Sequence, residues 1–115
     1  MKEIYKSKYS EHIYDDSRSI MFSDWFPETE NMDADDFKSE MRKWLDAFKE
    51  CKPKYLYDRC MDFNYLINPE EQIWMAHLLN PELIKLGLKK YAYLVPEEIF
   101  SEASVEQLFD EFKKI

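Results

Sequence analysis

The chain has 115 residues, 45% apolar, 35% charged and 17% aromatic, which predicts one soluble globular domain spanning 1–115 with a substantial core. Sixteen basic against 24 acidic side chains leave a net charge of −8, which repels a phosphate backbone and an anionic membrane surface, so no nucleic-acid partner is expected. The single glycine, Gly87, excludes both a dinucleotide-binding fingerprint and a Walker-type phosphate loop.

The opening stretch Met1-Lys2-Glu3-Ile4-Tyr5-Lys6 has no apolar core or small-residue cleavage site of a secretory signal. Apolar runs are a few residues long, against the ~20 that span a bilayer, so no membrane span is expected. The cytoplasm is the predicted compartment. Cys51 and Cys60 are too far apart in sequence for close zinc-ligand pairing and too few for a disulfide framework. Together with His12 and His77 they scatter over separate predicted elements, so neither a metal nor a cofactor is expected.

In chain order, the Tyr- and Ile-rich stretch from Ile4 to Asp15 predicts one or two strand segments, followed by turn chemistry at Asp15-Asp16-Ser17-Arg18. Ser19 to Phe26 reads as a further strand, with Ile20, Phe22 and Phe26 on one face and Met21, Ser23 and Trp25 on the other. Pro27 ends it, and the two segments predict an antiparallel hairpin. Asp33 to Cys51 predicts a helix whose apolar stripe is Phe37, Met41, Trp44, Leu45 and Phe48, capped by Asp33 and stopped at Pro53. Lys54 to Asp58 is a short strand. Asn68-Pro69-Glu70-Glu71 is a helix start; the helix is expected to run through Trp74 and Leu79, break near Asn80-Pro81, and resume to Leu86 with Gly87 as its left-handed terminator. Lys89 to Val95 predicts a last strand closed by Pro96. Ser104 and Gln107 form a capping box for a final helix with the stripe Val105, Leu108, Phe109 and Phe112. The order β-β-α-β-α-β-α is α/β: a single mixed sheet of four to five strands, parallel at its centre, with helices mainly on one face.

This order, with Trp25-Phe26-Pro27-Glu28-Thr29, Tyr55-Leu56-Tyr57-Asp58, Asn68-Pro69-Glu70-Glu71-Gln72-Ile73-Trp74 and Gly87-Leu88-Lys89-Lys90-Tyr91-Ala92, resembles the small bacterial proteins of the STAS-like, anti-sigma-factor-antagonist-like superfamily. It is most similar to a branch grouped with CRAL-TRIO lipid-binding domains. The resemblance implies a four- or five-stranded mixed sheet, and it implies an interaction or regulatory role. One departure limits it. Antagonists of that type carry a phosphorylatable Ser or Thr after the third strand, whereas here Arg59 to Asn68 holds neither residue, so the charge switch that phosphorylation would supply does not carry over.

Ligands of open α/β sheets sit beyond the carboxyl ends of the strands, which singles out the loop after the third predicted strand. There Asp58, Arg59 and Asp62 could hold an anionic or hydroxylated ligand among Phe63 and Tyr65; the plainer alternative is a surface ion pair and two aromatics folded on the core edge. Asp58 is a possible general base and Cys60 a possible nucleophile, but no Ser, His or Cys partner completes a catalytic pair, so no enzymatic activity is expected. His77 reads as a surface histidine, and His12 as a solvated residue of an edge strand. The acids Glu28, Glu30, Asp33, Asp35 and Asp36 read as a solvated helix cap, since a calcium loop needs a central glycine. Nineteen aromatics exceed what the predicted stripes need. Tyr5, Tyr9, Tyr14 and Trp25 are therefore candidates for an interface, such as self-association through the hairpin's edge. A lining for a small apolar or lipid-like ligand would look similar. A non-enzymatic interaction or regulatory module, with a protein partner or a second copy, is the leading expectation, and a small-ligand carrier is the alternative.

Overall fold

The structure is a computed structural model that describes residues 1–94. Five strands, β1 (Lys2–Lys6), β2 (Ser10–Asp15), β3 (Ile20–Trp25), β4 (Tyr55–Arg59) and β5 (Lys90–Leu94), form one sheet in the order β1-β2-β3-β4-β5. β1, β2 and β3 pair antiparallel, while β3–β4 and β4–β5 are parallel. Helices α1 (Ala34–Cys51) and α2 (Pro69–Lys85) make the two parallel connections. The expected mixed α/β sheet is present, with five strands. The predicted strand closure at Pro96 and the helix opened by Ser104 lie outside the described residues.

The N-terminal stretch, expected as one or two strand segments, is two strands. Its turn has no Gly, Pro or Asn; instead the Ser7 hydroxyl accepts the backbone N–H of Tyr9 at 3.0 Å and of Ser10 at 3.2 Å. A 3-10 turn, Pro27–Asn31, leads from β3 toward α1. At the start of α1, Asp33 accepts the N–H of Asp36 at 2.8 Å and the Asp36 carboxylate returns to the Asp33 N–H at 3.1 Å. Asn68 and Glu71 make the same reciprocal cap on α2. All five residues of the predicted α1 stripe are buried. They meet Met21 and Leu56 from the sheet and Met75, Leu79 and Leu83 from α2 in one core.

The expected break at Asn80-Pro81 does not occur. Pro81 sits on the exposed side of a continuous α2, where water can take over the His77 carbonyl that loses its donor, while Leu79 and Leu83 bury on either side. The helix carries a further cost at this point, since the Asn80 amide and Gln72 Oε1 are buried without hydrogen-bond partners. α2 then ends as predicted at Gly87, whose φ is +84°. Leu88 N–H bonds the Leu83 carbonyl and Gly87 N–H the Ile84 carbonyl, both at 3.1 Å, which is the Schellman arrangement. A Cβ at Gly87 would meet nothing within 4 Å, so the only cost of a side chain there is left-handed strain. Gly87→Ala is expected to lose about 1 kcal/mol in urea unfolding, and an unchanged midpoint would contradict that account.

Candidate functional site

Strand alternation divides the sheet into two faces. Toward the helices point Ser10 and His12 of β2, Met21, Ser23 and Trp25 of β3, and Leu56 and Asp58 of β4, all buried. Ile13, Phe22 and Tyr57 lie in one register row on the other face, are half-buried, and stand outside the core cluster.

At the carboxyl end of β4, the Asp58 carboxylate is enclosed. Trp25 Nε1 donates to Oδ1 at 2.6 Å and the Tyr91 hydroxyl to Oδ2 at 2.5 Å. These are short, charge-assisted contacts. Burial pushes the Asp58 carboxyl up, and the hydrogen bonds from Tyr91, Trp25 and Cys60 only partly offset it. Cys60 beside it is held as a thiol, first by burial and then by the Asp58 charge. Burial and the neighbouring carboxylate likewise keep Tyr91 protonated. Each Asp58 oxygen thus accepts a hydrogen bond from within the fold.

The five residues expected to share a ligand do not converge. Arg59 follows Asp58 and therefore points through the opposite face, where Nε lies 2.6 Å from Asp24 Oδ1 and Nη2 donates to Oδ2 at 2.8 Å. Asp62 is exposed in the loop, and its backbone carbonyl accepts the Thr29 hydroxyl at 3.3 Å. Phe63 packs edge-on against Trp25 at 5.4 Å. Tyr65 stacks on Phe37 at 4.9 Å and donates to Glu71 at 2.6 Å. The loop is fastened to the core by its aromatics.

Among the expected interface aromatics, Trp25 and Tyr9 are core residues, 4% and 9% exposed, and have little surface to offer a partner. Trp25 is drawn in because its indole N–H has Asp58 as an internal acceptor. Tyr14 is half-buried with its hydroxyl 3.5 Å from Ser19 Oγ, and half-buried Tyr5 donates to Glu40 at 2.9 Å.

His12 is not solvated. β1 covers the flank of β2, so the ring is fully buried, stacked on Tyr5 and Trp44 and edge-on to Trp25. Trp44 Nε1 donates to Ser23 Oγ at 2.9 Å, and the Ser23 hydroxyl lies 2.8 Å from His12 Nδ1. The other ring nitrogen, Nε2, lies 3.3 Å from Ser10 Oγ, so both ring nitrogens have a hydroxyl partner. Burial holds His12 neutral, with its pKa lowered from 6.5 to about 3. Beside it Glu40 of α1, also buried, accepts the hydroxyls of Tyr5 and Ser7 and ties the β1–β2 turn to the helix. This network escaped the sequence reading. Its one local signal is Ser10-x-His12 and Ser23 placing polar groups at period two on faces otherwise apolar.

On the face away from the helices, Arg59 does more than pair with Asp24. Its guanidinium lies 5.2 Å from the Phe22 ring centroid and 5.9 Å from that of Tyr57, and those two rings are 6.1 Å apart. A separate groove of about 380 Å³ opens between β1, the end of β2 and the last turn of α1. Ile4, Tyr14 and Cys51 line it together with Lys2, Asp16 and Glu50. Cys51 stays a thiol there because burial and then Glu50 raise its pKa. Comparison of the chain with protein-family models, with curated proteins and with solved structures finds no match.

Proposed function

We propose that this chain is a non-enzymatic, STAS-like interaction or regulatory module of the cytoplasm, working through the sheet face that α1 and α2 leave open. The observation that carries this reading is the Arg59–Phe22–Tyr57 cluster on that face. Arg and aromatic side chains are enriched among the residues that supply most of the binding energy in protein interfaces: the rings bury a large area with few rotors, and the guanidinium offers a planar fork of donors. A second reading, a carrier of a small apolar or lipid-like ligand, draws on the groove at β1 and α1, whose volume falls in the range of ligand sites. Its lining of Lys2, Asp16 and Glu50 is poorly suited to an apolar molecule.

Native mass spectrometry of freshly purified protein, paired with analysis of a solvent extract, separates the two. The module reading expects 14.1 kDa or an integer multiple of it. Excess mass that vanishes on denaturation, matched by a small molecule in the extract, would overturn it in favour of the carrier.

A further inference from the structure

β3 and β4 are adjacent and parallel, so their open-face side chains stand side by side in register: Ile20 by Tyr55, Phe22 by Tyr57, Asp24 by Arg59. Each row thus sets two different but complementary groups on either side of the line between the strands. A two-fold axis running along that line, just above the face, would carry β3 of one copy over β4 of the other while keeping every row in place. Facing sheets pack about 10 Å apart with their strands nearly aligned, which this operation satisfies.

We propose that a second copy of this chain docks on this face across such an axis. The inference rests on the interaction-module reading and names its partner. In the pair, Phe22 of each copy meets Tyr57 of the other, and Ile20 meets Tyr55. Asp24 of each copy meets Arg59 of the other, so every carboxylate gains a second guanidinium and every guanidinium a second carboxylate. The side chains have room for this, since Arg59 is 41% and Asp24 26% exposed although they already pair within one chain. An isologous contact requires such self-complementarity. Within the contact the Asp24 and Arg59 charges cancel, so the patch itself adds no repulsion between two chains of net charge −8. The edge of β1, by contrast, is ill-suited to pairing. It is bulged between Glu3 and Tyr5 and carries Lys2, Glu3 and Lys6, features that discourage strand addition, so the self-association expected through the hairpin's edge moves to the sheet face.

The test is sedimentation equilibrium of the full chain from about 1 to 100 μM, the range in which an interface of ordinary size associates. The wild type is expected at twice 14.1 kDa at the upper end. Asp24→Arg puts two cations at the paired positions and Arg59→Asp two carboxylates, so each variant alone is expected to be monomeric. An equimolar mixture of the two is expected to regain the dimer mass. That rescue can come only from contacts between chains, because within each chain the pair stays broken. Phe22→Lys, which leaves the ion pair intact, is expected to weaken association at least about 30-fold. Should the charge variants fail to fold by circular dichroism, the wild-type mass and Phe22→Lys decide the matter. A wild type monomeric at every concentration, a Phe22→Lys chain that still dimerises, or folded charge variants whose mixture gives no rescue would each overturn the proposal. A monomer without bound small molecule would do so while leaving the interaction-module reading in place, with a different protein or the chain's own remaining segment on the face.

Discussion

Replacing Asp58 by alanine is expected to lower stability by about 2–5 kcal/mol, whereas asparagine at the same position should cost little or nothing. Alanine strands two buried donors, Trp25 Nε1 and the Tyr91 hydroxyl, which now reach Oδ1 and Oδ2 at 2.6 and 2.5 Å. Each loses its acceptor at a buried carboxylate position, so a desolvation cost appears for both. Asparagine keeps an oxygen for the indole and can donate its amide to the Tyr91 oxygen. It also removes the buried charge, whose desolvation is the largest cause of the raised Asp58 pKa. Urea unfolding at pH 7 compares the variants. A large loss in Asp58→Asn equal to that in Asp58→Ala would mean that the charge itself holds the site together.

The second large effect is a pH dependence with two opposed contributions. His12 has its pKa lowered from 6.5 to about 3 by burial, so the unfolded chain binds its proton first. Stability from His12 is therefore complete above pH 6.5 and is lost as pH falls toward 3, at about 1.4 kcal/mol per pH unit within that window. Asp58 has the reverse sign. Its raised pKa means that the folded state holds the proton more tightly, so its contribution is present below the ordinary value of 3.8 and is lost as pH rises through the raised one. Asp15, lowered to about 2 by the Ser17 hydroxyl and then Arg18, loses its contribution only as pH falls below 3.8 and stays out of the way.

Where the two windows overlap, the wild type should thus show a muted slope. Asp58→Asn should expose the whole His12 slope, with stability falling as the solution is acidified. His12→Gln should remove the His12 contribution, whatever its effect on overall stability, and leave the Asp58 contribution of opposite sign. Denaturant unfolding at half-unit pH steps measures all three. A wild-type slope unchanged in both variants would sink the assignment.

Much of the fold was legible because it is local. The α1 stripe lies within one helix, and the caps at Asp33 and Asn68 each need only a residue three positions on. Gly87 is read from its own lack of a Cβ. The parallel centre of the sheet followed from strands alternating with helices of crossover length. For Ile4 to Asp15 the sequence left one strand or two open, because a serine side chain makes the turn between β1 and β2 in place of turn-forming residues. The separation of Asp58 from Arg59 was within reach, since strand period two sends neighbours to opposite faces. Grouping them by proximity in the chain ignored that rule.

The environments of the chemical groups were of another kind. Asp58 is bound by Trp25 and Tyr91, each 33 positions away, and His12 by Ser23 and the rings of Trp25 and Trp44. No window of sequence holds those partners together. The amino-acid sequence by itself determined the α/β class, the helices with their caps, and which residues line each face of a strand, because spacing, capping and turn preferences act over a few residues. The tertiary structure alone decided that Asp58 is buried against Trp25 and Tyr91, that His12 is buried and neutral, and that Arg59 lies over Phe22 and Tyr57. Burial and partnership are created when distant segments meet, and they determine what a titratable or aromatic side chain can do.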